Sequence, residues 1–145
     1  MEQFVYPATL TPDAKDGGFM VTFADLPEAI TQGETVEEAL REAADCLEEA
    51  IANRIVTGVP IPPPSRSKRG QSAVPLGVQT AAKAALYIAL QDTKITKAAL
   101  AKRLRCDEKE VRRLLNPRHP SKLPRIEAAL AAVGHRLIVS LQSAA

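Results

Sequence analysis

Apolar positions in the first third of the chain recur with two different periods. Gln3 to Leu10 and Gly18 to Ala24 are β-prone runs, and Thr11-Pro-Asp-Ala-Lys-Asp-Gly-Gly18 between them carries the Asp-Gly and Gly-Gly steps of hairpin turns. Asp25-Leu-Pro-Glu28 ends the second run, and Ala29 to Gln32 gives a short third strand. The period then lengthens. Val36, Leu40, Ala43, Leu47, Ile51 and Ile55 follow at three- and four-residue steps, Thr35 with Glu38 forms a capping-box pattern, and Gly58 is a fitting stop. One long amphipathic helix across a three-stranded sheet gives a β-β-β-α unit, with Phe19, Val21 and Phe23 on the face toward the helix.

Residues 59–70, rich in Pro and basic side chains, cannot continue a helix or serve as a central strand, and are expected to form a semi-rigid linker. Beyond it Ser72 to Leu76 is extended, and Val78 to Gln91 is an Ala-rich run apolar on nearly all sides, as suits a helix buried in a helical cluster. Thr96 caps a helix over Lys97 to Leu104, Arg105-Cys106 turns the chain, and Asp107 with Glu110 opens a helix reaching Asn116. Two short helices joined in this way form a helix-turn-helix pattern. Leu123 to Val133, with Pro124 in its first turn, is a further helix, and the alternation of Leu137, Val139 and Leu141 predicts a short C-terminal strand over His135 to Gln142. The fold class expected is α+β, organised as residues 1–58, a linker over 59–70, and residues 71–145.

Charge divides the chain at the same place. Residues 1 to 64 hold three basic and twelve acidic side chains, a net −9, whereas residues 65 to 145 hold sixteen basic against five acidic, a net +11. Such asymmetry points to two partners, one cationic and one a polyanion such as nucleic acid. No apolar run reaches the ~18 residues of a membrane span, and the N-terminus lacks the pattern of a secretory signal. Cys46 and Cys106 stand far apart without a CxxC or a nearby His, so no disulfide framework or metal site is expected, and a reduced cytoplasm is the natural compartment.

The helix after Asp107 carries the most specific chemistry. Val111, Leu114 and Leu115 fall on one side, leaving Lys109, Arg112, Arg113 and Asn116 on the other, and these residue types read base edges in the major groove. Lys97, Lys102, Arg118 and Lys122, together with Arg103, Arg105 and Arg125, surround that element as candidate phosphate contacts. The acidic half offers no comparable enzyme pattern. A metal-dependent nuclease needs carboxylates converging from strand interiors, and Phe4 to Ala8, Met20 to Phe23 and Ala29 to Gln32 contain none. No His precedes His119, and both cysteines suit small packing residues better than nucleophiles. No enzymatic role and no cofactor are expected.

The chain resembles the HicB family of toxin-antitoxin antitoxins. The resemblance lies in Tyr6-Pro-Ala8, Asp16-Gly-Gly-Phe19, Phe23-Ala-Asp-Leu-Pro27, Thr31-Gln-Gly-Glu-Thr35 with Glu37-Glu-Ala-Leu40, and Gly58-Val-Pro-Ile-Pro62. Ile95 to Leu104, Val111 to His119 and Gly134-His-Arg-Leu137 look like the helix-turn-helix version of that family. Glu28-Ala29 stands where the family commonly has Gly-Cys, and Arg105 where the turn usually has Gly. The resemblance implies a degraded RNase H-like N-terminal fold that masks a small basic HicA-type mRNA interferase, and a C-terminal domain that represses the operon by binding operator double-stranded DNA. Asp25, Glu28 and Glu34 are the carboxylates expected at the toxin contact, and a homodimer or tetramer is the expected assembly. The competing readings are an RNase H-like nuclease with a DNA-binding domain and a ligand-sensing transcriptional regulator.

Overall fold

The computed structural model describes residues 3–143. It contains two compact units, residues 1–81 and 82–145. The first begins with β1 (Val5–Pro12), whose hairpin partner is β2 (Phe19–Thr22), followed by β3 (Ile30–Gly33). The hairpin turn is built on Asp13: its carboxylate accepts the amide N–H groups of Lys15 and Asp16, and Gly17 and Gly18 both take positive φ. Gly18 also sits where a side chain would meet the Gly33 carbonyl oxygen at 2.6 Å, and a Cβ on Gly33 would lie 2.4 Å from the Ala39 amide nitrogen. Hairpin turn, third strand and following helix thus meet backbone to backbone, which only glycine at both positions permits.

The helix α1 (Val36–Thr57) starts at Thr35, whose Oγ1 accepts the Glu38 N–H at 3.1 Å. Glu38 reaches back to the Glu34 amide rather than to that of Thr35. At the other end Gly58 adopts the left-handed conformation and its N–H returns to Arg54 and Ile55. Ala39, Ala43, Leu47, Ile51 and Ile55 are buried beneath the helix together with Val21 and Phe23 of the expected sheet face. Leu47 and Ile51 are fully enclosed, a burial worth roughly 1.5–3 kcal/mol each. Val36, at the first turn, lies outside that stripe and is exposed.

The sheet has a fourth strand, which the sequence reading assigned to the other half. β4 (Ser72–Pro75) pairs antiparallel with the first half of β1 in the register Tyr6↔Val74, while β2 pairs with its second half in the register Leu10↔Val21, giving the order β3-β2-β1-β4. The Pro-rich segment is accordingly a crossover from α1 to β4 and not a free linker. Tyr6 donates its hydroxyl to the Pro62 carbonyl at 2.7 Å, Ile61 is buried, and Ser65 bonds to the Asp25 carboxylate through both its amide and its hydroxyl. Proline removes donors from this segment, but its carbonyls remain acceptors, and side chains from the sheet and α1 use them. The boundary expected after residue 70 therefore lies at 81/82.

The second unit holds most of α2 (Val78–Thr93), then α3 (Lys97–Leu104), α4 (Glu108–Leu115) and α5 (Leu123–Ala132). Its core is aliphatic: Ala82, Leu86 and Leu90 of α2 meet Leu100 of α3, Val111 and Leu114 of α4, and Ile126 and Leu130 of α5. The C-terminal strand expected over His135 to Gln142 is absent, and that segment is irregular. The other extended stretch expected in residues 71–145 is already engaged, as Ser72 to Pro75, with β1, and a lone strand has no ladder to satisfy its backbone. Leu137 packs on the helical core, while Val139 and Leu141 are 72% and 99% exposed.

Candidate nucleic-acid interface

Helices α3 and α4 are set by three local devices. Thr96 Oγ1 accepts the Ala99 N–H at 3.1 Å, and Asp107 Oδ1 accepts the Glu110 N–H at 2.9 Å, so each helix has a side-chain N-cap. Between them Arg105 takes φ 55° and ψ 46°, its N–H donates to the Lys102 carbonyl, and the Cys106 N–H donates to that of Ala101. These two bonds are the Schellman ending of a helix, made here without glycine. Cys106 packs against the core, the role expected of it.

With Val111, Leu114 and Leu115 turned into the core, Lys109, Arg112, Arg113 and Asn116 are all exposed on the outer side of α4, within about 100° of arc. They are not equivalent. Arg113 lies 3.5 Å from Glu110, whose other oxygen accepts from Arg125 at 3.1 Å. The Asn116 side-chain oxygen accepts the Arg118 N–H at 3.0 Å, so a two-bond grip on adenine would have to displace that contact. Lys97, Lys102, Arg118 and Lys122 are exposed on α3 and the loop after α4. Arg103 instead donates to the Ala132 carbonyl at the end of α5. Arg125 and Arg103 therefore have structural work among the basic residues grouped as phosphate contacts.

The residue that the sequence reading missed is Lys83. It is fully buried on α2, and its ammonium lies 2.9 Å from the Arg113 carbonyl, 2.8 Å from that of Asn116, 2.6 Å from that of His119 and 2.8 Å from Ser121 Oγ. Burial pushes its pKa down to about 8, while four acceptors favour the charged form. The signal was present as one lysine within an otherwise apolar run that had to be buried. Such a lysine must find acceptors inside.

In the first unit the three expected toxin-facing carboxylates fare differently. Asp25 is bound to Ser65, and Glu28 accepts two bonds from Arg54, which holds its carboxyl below the usual range. Glu34 is exposed at the corner between β3 and α1. Burial pushes the Cys46 thiol up, which disfavours the nucleophilic thiolate. Among the described residues no group of three or more His, Cys, Asp or Glu could hold a metal ion, and no helix is long and apolar enough to cross a membrane.

Residues 5–85 match the family described as HicB_like antitoxin of bacterial toxin-antitoxin system, a span that holds the whole four-stranded sheet and α1. The chain belongs to this HicB-like antitoxin family. It is 41% identical over 134 residues to Antitoxin HicB of Escherichia coli (strain K12), covering 91% of this chain and 95% of that relative. It is 38% identical over 137 residues to Antitoxin HicB 1 of Photorhabdus laumondii subsp. laumondii, covering 94% and 86%, and 34% identical over 129 residues to Antitoxin HicB of Pseudomonas fluorescens (strain Pf0-1), covering 88% of each. The similarity to these relatives extends well past the family match and must include part of the helical unit of this HicB-like chain. The HicB-like chain is thus an antitoxin of a toxin-antitoxin system.

Proposed function

We propose that this antitoxin is a two-ended binding protein, free of enzymatic activity, working in the cytoplasm. Its acidic unit neutralises a small cationic HicA-type mRNA interferase, and its basic unit binds operator double-stranded DNA and represses the operon encoding the pair. The observation that carries the second role is the outer side of α4. Lys109, Arg112, Arg113 and Asn116 stand together on a helix that is capped, joined to α3 by a tight turn and packed by its opposite side. Such a helix can enter the major groove, where Arg grips guanine through two parallel hydrogen bonds, while Lys97, Lys102, Arg118 and Lys122 hold phosphates.

The toxin role is supported by family membership and by the −9 charge of residues 1 to 64, which would speed association with a cationic partner. Glu34 is the best placed of the three candidate carboxylates, since Asp25 and Glu28 have partners within the chain. Helix-turn-helix proteins commonly read two half-sites, so the working form is a homodimer or tetramer. The test is paired: rescue of growth from the neighbouring toxin, and binding of a promoter duplex against a scrambled one, with solution mass measured alongside. Rescue without sequence preference would remove the repressor role, and a strictly monomeric chain at micromolar concentration would remove the assembly.

A further inference from the structure

We propose that Lys83 is a positioning residue for DNA reading, which from α2 holds the carbonyl end of α4 and the 116–121 segment in the orientation that presents Arg112 to base edges. The inference rests on the DNA-binding role argued above. A lysine ammonium carries three N–H donors and no acceptor, and here it faces three backbone carbonyls and one hydroxyl. All four acceptors belong to one stretch of chain, Arg113 to Ser121. That stretch includes both Asn116, on the outer side of α4, and Arg118, a candidate phosphate contact.

The last carbonyls of a helix have no partner within it and carry its negative end. Helix α4 ends at Asn116 in extended backbone, without the left-handed cap that closes α1 and α3. Lys83 supplies from outside the donors that such a cap would supply from within. A Met or Leu would fill the same volume in α2 without the desolvation of a charge, so packing alone does not account for a lysine there. The charge is tolerated because it is surrounded by acceptors, and those acceptors belong to the segment that must be held still for a base contact to form. A neutral amine has only two N–H groups and could not donate to all three carbonyls at once.

The experiment uses the full chain, a duplex carrying the promoter of its own operon, and a scrambled duplex of equal length. Lys83→Met is expected to keep its helical spectrum and to bind the scrambled duplex with an unchanged salt slope. Its preference for the promoter duplex should fall by about tenfold, the equivalent of one lost bidentate base contact. The amides of Asn116 and His119, which donate to two of the same carbonyls, should exchange faster, while those of α3 and α5 should not. Retained preference in the folded variant, or a salt slope reduced by one phosphate, overturns the positioning role.

In the unaltered chain bound to the promoter duplex, the Lys83 ammonium resonance should remain protected from solvent exchange. Exchange as fast as that of surface lysines overturns the proposal even where Lys83→Met does not fold. A wild-type chain with no preference between the duplexes overturns the DNA-reading role itself, and the positioning role falls with it.

Discussion

Arg54 closes on Glu28 with two parallel bonds, Nε to Oε2 at 2.6 Å and Nη2 to Oε1 at 2.9 Å, and its Nη1 donates to the Pro60 carbonyl at 2.7 Å. One guanidinium thus ties the last turn of α1 to the β2–β3 connection and to the crossover that leads to β4. Glu28 looked like a turn carboxylate available to a partner protein. In the folded chain it is a clamp on its own unit.

Glu28→Gln should lower the stability of the first unit by about 0.5–1 kcal/mol at neutral pH, since the pair is partly exposed. The bond from Arg54 lowers the Glu28 pKa below 4.5, so the contribution is present above 4.5 and is lost as pH falls through the lower folded value. Denaturant melts of wild type and variant should therefore converge in acid. A difference that persists unchanged there would mean that the carboxylate charge is not the source.

The sheet also decides which fragment can neutralise a toxin. A chain ending at Ser65 keeps the acidic charge but lacks β4, leaving the first half of β1 unpaired and Tyr6 without its cross-strand neighbour Val74. A chain ending at Ala81 keeps all four strands. In a growth-rescue assay with soluble protein monitored, the longer fragment should neutralise and the shorter should not. Rescue by the shorter one would place the toxin contact entirely within β1 to α1.

What was legible in the sequence was local. Thr35, Gly58, Thr96 and Asp107 mark the helix ends where they occur, because caps are contacts within a few residues. Non-local pairing was not legible. Ser72 to Pro75 is a four-residue strand with nothing in its own pattern to say that its partner is Val5 to Ala8, more than sixty residues earlier. His135 to Gln142 has the better alternation yet forms no strand, since alternation describes a face and not the existence of a neighbour. The outer side of α4 followed from helical period, whereas the contacts of Arg113, Asn116 and Lys83 depend on segments that only the fold brings beside them.

Arg105 holds a left-handed conformation that costs a side-chain-bearing residue roughly 1–2 kcal/mol. Arg105→Gly removes that strain but adds freedom to the unfolded chain, so the net gain should be about 0.5–1 kcal/mol, a rise of several degrees in melting temperature. Calorimetry on the full chain would follow it. An unchanged or lowered melting point would show that the arginine side chain makes a compensating contact.

Lys83 gives a second pH signature, of the same sense as that of Glu28 but in the alkaline range. Its folded pKa of about 8 lies below the ordinary 10.5, so between these values the unfolded state binds more protons, and the stability contributed by this site rises with pH. Wild type should gain on Lys83→Met as pH increases from 8 to 10.5. Tyr87, pushed above its usual 10 by burial, is common to both proteins and cancels from the difference. A flat difference would mean that the four acceptors restore the ordinary affinity for the proton.

The basic residues around α4 should separate by kind when each is replaced by Ala. Arg112→Ala is expected to lose ~1–3 kcal/mol on the promoter duplex and little on scrambled DNA, because a bidentate base contact is absent from the wrong sequence. Arg113→Ala should cost less, since its guanidinium is already shared with Glu110. Lys102→Ala should weaken both duplexes alike and reduce the salt slope by about one, as expected when one phosphate contact is released. Arg103→Ala should differ again. It loses a bond to the Ala132 carbonyl, so its effect belongs in the melting temperature before it belongs in DNA affinity. Salt titrations of each variant on both duplexes, read beside thermal melts and toxin rescue, distinguish the four. Equal losses on both duplexes for Arg112→Ala would move base reading away from this helix, and loss of rescue in any of them would show that the two units do not act independently.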